Sequence, residues 1–265
     1  MDPVHAIILA IVQGLSEFLP ISSSGHLILV PHFFGWADQG LAFDVAVHVG
    51  TLIALLVYFR RPLVAMSVAW LTSLKSRKPD GDGRLAWCVL LSTVPVGAVG
   101  LAFGESIEAH LREPMFVAGT LSFFGLLMWL ADRLGRQSLD EYSIGWRQAV
   151  IIGIAQALAL MPGTSRSGVT ITAGLAVNLT RSAAARFSFL LAVPGIAMAG
   201  CYELLRLLNS GEPADWPAMA LGLVVSAITG YLCIHALLKV IERIGLLPFT
   251  IYRLLIAAII VVHFG

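Results

Sequence analysis

Charged residues are scarce in this chain, and their scarcity excludes most classes of soluble protein. Only 12% of the 265 residues are Asp, Glu, Lys or Arg, whereas soluble domains carry roughly 25%. The net charge of +1 argues against nucleic acid as a partner. Hydrophobic residues make up 58% of the chain and the mean hydropathy is +0.86. We therefore expect a polytopic membrane protein in which residues 1–265 form a single integral membrane domain.

Cysteine is also rare, and the N-terminus lacks a basic region before its apolar run. Cys88, Cys201 and Cys233 lie in apolar segments without metal-ligand spacing. Small buried side chains are the expectation for all three. The missing basic region makes a cleavable signal peptide unexpected.

Long apolar segments define the expected crossings. Six are long enough to span a membrane: residues 42–59, 85–103, 115–131, 187–208, 216–238 and 248–264. Two others, about 4–34 and 148–179, are broken by Pro20 and Pro162 within clusters of hydroxyl side chains. A helix in, a tight polar turn and a helix back out is a re-entrant hairpin. The predicted fold class is thus all-α, with six transmembrane helices and two re-entrant helical hairpins.

The basic residues predict the orientation. With both termini outside, every Lys and Arg except Arg112, Arg166 and Arg206 falls on the inner side, Arg253 among them at a helix start. The first hairpin then enters from outside and the second from inside. Because the hairpins enter from opposite sides, the two halves, roughly 1–131 and 132–265, are expected to be inverted repeats whose loop tips meet.

The first broken segment carries a carboxylate, hydroxyls and an imidazole, which are costly in hydrocarbon and therefore candidates for function. Its polar residues are Gln13, Glu17, Ser22, Ser23, Ser24 and His26. Glu17 and His26 pairing merely to hold the hairpin is the structural alternative. Asp44 and His48, on the next segment, suit either a cavity mouth or helix–helix hydrogen bonding.

The second broken segment has the composition of an anion site. Thr164 and Ser165 stand where a helix is expected to begin, with Arg166, Ser167 and Thr170 in its first turns. Free backbone amides, the positive end of the helix dipole and a guanidinium fork suit phosphate. Together with the first loop, this combination fits phosphoryl transfer, and a divalent cation held by Glu17 and phosphate oxygens would complete it.

The two loops resemble the motifs of the bacterial undecaprenyl-diphosphatase family of the bacitracin-resistance type. The resemblance rests on Gln13-x-x-x-Glu17, on residues 22–26 (Ser-Ser-Ser-Gly-His) and on residues 162–170, and covers essentially the whole chain. The family has Glu or Gln at the position of Gln13, so Gln13 is an allowed variant. Its neutral amide cannot serve as a second anionic ligand for a metal.

The resemblance implies an enzyme of the bacterial inner membrane, with both termini and the active site facing the periplasm. Its substrate would be undecaprenyl diphosphate, whose terminal phosphate is removed to recycle the carrier lipid for peptidoglycan synthesis, which confers bacitracin resistance. A divalent metal, Mg²⁺ or Ca²⁺, is implied as cofactor, and membrane lipids as surroundings. Whether the chain forms a homodimer is left open by the sequence.

Roles are assigned as hypotheses. Ser23 attacks the terminal phosphorus, His26 shuttles protons, Glu17 binds the metal or orients His26, and Arg166 holds phosphate oxygens, while the pocket is lined by Gln13, Ser22, Ser24, Thr164, Ser165, Ser167 and Thr170. A nucleophilic His26 or a metal-activated water remain alternatives. A lipid phosphatase of the phosphatidic-acid type is rejected, because Thr172 stands where that family needs histidine. A transporter or flippase of a phosphorylated polyprenyl lipid is the rival function, since inverted repeats with broken helices are a transporter architecture.

Overall fold

The backbone is almost entirely helical. The structure is a computed structural model that describes residues 1–111, 113–210 and 215–264. Within these ranges there are α-helices and two short 3-10 turns but no strand, so the predicted all-α class is confirmed. The helices are α1 (Pro3–Ser16), α2 (Ser23–Phe34), α3 (Gly40–Tyr58), α4 (Arg60–Ser76), α5 (Gly81–His110), α6 (Pro114–Leu134), α7 (Trp146–Ala157), α8 (Arg166–Ala176), α9 (Arg181–Ser210), α10 (Trp216–Ile244) and α11 (Leu247–Phe264).

Six of these helices, α3, α5, α6, α9, α10 and α11, are long and apolar enough to cross a membrane. They coincide with the six predicted segments, although α9 begins at Arg181 and α10 ends at Ile244, beyond the predicted limits. Large apolar side chains such as Leu101 and Val262 are exposed on their surfaces. Exposed hydrocarbon of this extent is expected where lipid is the solvent. Arg112, one of the outer basic residues, lies outside the described ranges.

The two broken segments form pairs of short helices. α1 ends at Ser16, before Pro20, and α2 begins at Ser23; α7 ends at Ala157, before Pro162, and α8 begins at Arg166. The Ser165 hydroxyl accepts a hydrogen bond from the Gly168 amide at 3.1 Å, which caps the start of α8. The helix breaks are therefore where the sequence predicts them, and the re-entrant course of each pair stays a prediction.

Each pair packs its first helix against a long helix of the other half of the chain. α1 lies against α10, and α7 lies against α5. Glycines allow this approach: a Cβ on Gly14 would stand 2.7 Å from the Cβ of Thr229, and one on Gly153 would stand 2.7 Å from the Cα of Ser92. Close packing at small residues is the usual basis of helix association in membranes. The first helix of each pair is thus fixed against a long helix that is distant in the sequence.

One sequence expectation is wrong, that for Cys201, and two basic regions take forms that the sequence left undefined. Residues 60–76, whose basic residues are predicted to lie on the inner side, form the helix α4, which is not among the helices long and apolar enough to span a membrane. Arg253, counted with the inner basic residues at a helix start, lies on the second turn of α11 and is 1% exposed. Cys88 and Cys233 are buried as expected, but Cys201 is exposed, because it lies on an outward-facing side of α9.

Candidate active site

The turns of the two helix pairs meet, as the sequence predicts. Arg166 on α8 donates from its Nη2 to the Oε1 of Glu17 at 2.9 Å, across 149 residues of sequence. The Ser167 hydroxyl donates to the carbonyl oxygen of Leu19 at 3.0 Å. Both contacts join the first turn to the start of α8. The polar residues of the two motifs therefore form one site.

Glu17 is the centre of this site. Its Oε2 accepts hydrogen bonds from the Ser23 hydroxyl at 2.7 Å and from the Gln13 Nε2 at 3.1 Å, while Oε1 is bound by Arg166. The Nε2 of His48 lies 3.9 Å from the same Oε2. Glu17 is 8% exposed, and a carboxylate so buried is stable only when it is paired and hydrogen-bonded. These partners meet that requirement and place Ser23 directly beside a base.

Arg166 is held in position by its own surroundings. Its Nη1 donates to the carbonyl oxygen of Ser188 on α9 at 3.1 Å. The Ser188 hydroxyl lies 2.7 Å from that of Thr170, which also donates to the Arg166 carbonyl oxygen at 2.7 Å. Both terminal nitrogens of the guanidinium are thus hydrogen-bonded, which fixes the group beside Glu17. Ser188 was not predicted, because a single hydroxyl in a long apolar helix carries no distinguishing pattern.

The two turns share an unusual backbone conformation. Ser22, which precedes α2, has φ 76°, and Ser165, which precedes α8, has φ 71°. Positive φ is uncommon outside glycine, and such conformations cluster at functional sites. Near each turn a buried hydroxyl, that of Ser22 or Thr164, has no hydrogen-bond partner in the described part of the chain. Unpaired buried hydroxyls are costly, so these two are suited to bind a polar ligand.

His26 lies on the face of α2 that carries Ser23, but its ring nitrogens bond elsewhere. Nδ1 is 2.7 Å from the Ser22 carbonyl oxygen, and Nε2 is 2.7 Å from the Tyr252 hydroxyl. The two rings also stack, with centroids 5.6 Å apart. The hydroxyl proton of Ser23 is therefore directed at Glu17 and not at His26. Neighbouring Ser24 is exposed.

Arg253 contacts the backbone of both turns. Its guanidinium donates only to backbone carbonyl oxygens, and none of its described contacts is a carboxylate: Leu121 at 3.1 Å, Thr164 at 3.0 Å, Gly163 at 3.0 Å, Pro20 at 3.4 Å and Thr120 at 3.4 Å. Both turns thus share one cation with α6. Its burial follows from these contacts, because the positive charge satisfies carbonyl oxygens that the broken helices leave unpaired.

The oxygen atoms of Gln13 and Glu17 fit a hard divalent cation. The buried Gln13 Oε1 has no hydrogen-bond partner among the described residues, and it belongs to the side chain that contacts Glu17. No group of three His, Cys, Asp or Glu side chains gathers in the described part of the chain. Such a donor set suits an ion shared with phosphate oxygens, as is usual for Mg²⁺, and does not suit a cage made of protein alone.

The fold and the site together define a class: a helical membrane protein whose two broken segments build one buried polar site. The chain belongs to the bacitracin resistance protein BacA family, whose model matches residues 6–259. The family predicted from the two loop motifs is therefore confirmed.

Relatives match over nearly the full length. The chain is 55% identical over 268 residues to undecaprenyl-diphosphatase 2 of Stutzerimonas stutzeri, covering 100% of this chain and 99% of the relative. It is 55% identical to the undecaprenyl-diphosphatase of Nitrosococcus oceani and 51% identical to that of Teredinibacter turnerae, covering 98% of each chain in both comparisons.

Proposed function

We propose that this protein hydrolyses undecaprenyl diphosphate to undecaprenyl phosphate and inorganic phosphate. Its relatives are named for this activity. The observation that carries the proposal is the line of Ser23, Glu17 and Arg166, joined by hydrogen bonds of 2.7 and 2.9 Å. A nucleophile, a base and an anion clamp are the groups that phosphoryl transfer requires.

In the first step, the Ser23 oxygen attacks the terminal phosphorus and its proton passes to Glu17. The bond from that phosphorus to the bridging oxygen breaks, and undecaprenyl phosphate leaves. Arg166 exchanges its contact with Glu17 for phosphate oxygens, because its planar fork suits either anion. This exchange frees the carboxylate to act as a base at the moment that substrate is bound.

In the second step, water attacks the phosphoserine, the bond from Ser23 to phosphorus breaks, and inorganic phosphate leaves. The Tyr252 hydroxyl takes a proton from this water and passes its own proton to His26. Glu17 returns to the Ser23 oxygen the proton that it took in the first step. Ser22 and Thr164 donate their unpaired hydroxyls to phosphate oxygens. Gln13 and Glu17 would hold a divalent cation, which would neutralise charge on the diphosphate.

Phosphate release by the purified full chain in detergent tests this function. We expect release from undecaprenyl diphosphate, its loss with a chelator and its recovery with Mg²⁺ or Ca²⁺. Detergent abolishes transport but not hydrolysis, so an inactive protein that moves the lipid in vesicles would favour the flippase alternative. Acid quenching with substrate labelled in the terminal phosphate distinguishes the nucleophiles, since phosphoserine survives acid and phosphohistidine does not.

We further propose that the protein lies in the inner membrane with both termini and the site facing the periplasm. The distribution of basic residues supports this orientation. Asp38→Cys and Arg136→Cys, in a background without the native cysteines, lie on the two predicted sides and are both exposed. In intact cells we expect an impermeant thiol reagent to label the first and not the second. The reverse pattern would invert the topology.

A further inference from the structure

A second basic cavity lies away from the candidate active site. It has a volume of about 200 Å³ and is lined by Arg133, Arg181 and Arg243 together with Trp129, Ile244 and Leu247. We call it the basic pocket. Along α10, Cys233 contacts the Leu15 carbonyl beside the active site, and Arg243 lies ten residues further on, about 15 Å at the rise of an α-helix. No residue of the two loop motifs lines the pocket.

The lining of the basic pocket has three arginines and one acidic side chain, so its positive charge is only partly neutralised. Asp132, the one acid in its lining, is bound by the Arg181 Nε at 2.6 Å and Nη2 at 3.1 Å. Arg133 and Arg243 have no carboxylate or hydrogen-bond partner in the described part of the chain, and the guanidinium of Arg133 lies 5.8 Å from the centroid of the Trp129 ring. Two cations therefore remain available to an anion, on a frame fixed by the Asp132–Arg181 pair.

The surroundings of the basic pocket are those of the membrane interface. The pocket lies where α6 and α10 end and where α11 begins. Tryptophan and arginine at helix ends are typical of the level of the lipid headgroups. Ile244 and Leu247 are 44% and 47% exposed, so apolar surface continues from the three arginines. A ligand with an anionic head and hydrocarbon tails matches both parts.

We propose that the basic pocket binds the phosphate group of an anionic membrane lipid, at a site separate from the one that carries out hydrolysis. Free phosphate shares the chemistry of the headgroup but leaves the apolar part of the lining unused. Basic pockets between membrane helices are known to take phosphorylated headgroups in this manner. With the orientation proposed above, the site belongs to the cytoplasmic leaflet, opposite to the active site.

The test is lipid binding by the purified full chain in a neutral detergent, measured by native mass spectrometry. The probes are short-chain phosphatidylglycerol, short-chain phosphatidylcholine and inorganic phosphate. The variant Arg133→Gln/Arg243→Gln removes two unpaired cations and leaves the Asp132–Arg181 pair intact. The matched control is Arg136→Gln/Arg147→Gln, which removes two exposed arginines that do not line the pocket.

We expect the wild type to prefer phosphatidylglycerol to phosphatidylcholine, and the pocket variant to bind phosphatidylglycerol about 30-fold more weakly, the loss expected for two arginine–lipid contacts. The control should change by less than about twofold. Equal losses in the two variants, or equal binding of the two lipids, would overturn the proposal. Displacement of the lipid by inorganic phosphate at equal concentration would do so too, because it would identify free phosphate as the ligand.

Discussion

The two turns of this protein share one backbone feature but differ in their chemistry. Ser22 and Ser165 both have positive φ and both precede a helix, and the buried Gln13 and Gln156 stand equally far before them. At the next position the first turn has Ser23 and the second has Arg166. Glu17 and His26 correspond in this alignment to Leu160 and Val169. The comparison teaches that two turns alike at one backbone position can carry different side chains, with the proposed reacting groups on the first turn and the proposed anion clamp on the second.

The largest effect is expected from a substitution in the first turn. Ser23→Ala removes the proposed nucleophile, and we expect kcat to fall by about 10⁴-fold or more, as is typical when a covalent nucleophile is deleted. Phosphate release by the purified variant measures it. Ser67→Ala, on the exposed face of α4, is the control and should keep full activity. Substantial turnover by Ser23→Ala would assign the attack to another group.

A substitution in the second turn should lower the activity somewhat less. Arg166→Ala deletes the anion clamp and leaves Glu17 without its cation, and we expect kcat/KM to fall by about 10³-fold. Arg166→Lys keeps the charge but loses the planar fork, so it should recover only a part of the activity. Near-normal rates for Arg166→Ala would remove the clamp from the mechanism.

The link between the turns is expected to matter for stability as well as for rate. Arg253→Met leaves the carbonyl oxygens of both turns without a donor, and we expect the free energy of unfolding to fall by about 3 kcal/mol. Because the turns would also lose their alignment, kcat should decrease. Substrate binding should be kept, so KM should change little. Thermal unfolding in detergent and steady-state kinetics measure the two effects. An unchanged melting temperature would show that other contacts hold the turns.

The smallest expected effect concerns the proton path of the first turn. Tyr252→Phe removes one hydrogen bond to His26, worth about 1 kcal/mol, and we expect kcat to fall about fivefold. A shift in the pH profile of kcat would separate this role in proton transfer from a packing defect. Tyr202→Phe, on the exposed surface of α9, is the matched control. An unaltered profile in Tyr252→Phe would exclude the hydroxyl from the proton path.

The parts of the site that have a local sequence signature were predictable, and those that depend on distant helices were not. The convergence of Glu17 and Arg166 follows from two proline breaks rich in hydroxyls, because polar residues in apolar segments are conspicuous. Tyr252 and Ser188 are single residues on long helices, where their types are ordinary. The partners of Arg253 were not predictable either, because a basic residue near a helix start gives no sign in the sequence of the carbonyl oxygens that it binds.

The position of Arg253 on α11, after both turns in the sequence, has a consequence for biosynthesis. A ribosome that makes this chain delivers both turns to the membrane before it makes α11, the helix that supplies Arg253 and Tyr252. Until that helix is inserted, the carbonyl oxygens of Pro20, Gly163 and Thr164 have no guanidinium to bind. A truncated product would therefore hold the nucleophile and the clamp without the residue that aligns them. Synthesis and insertion of α11 are, in this sense, the step that assembles the site.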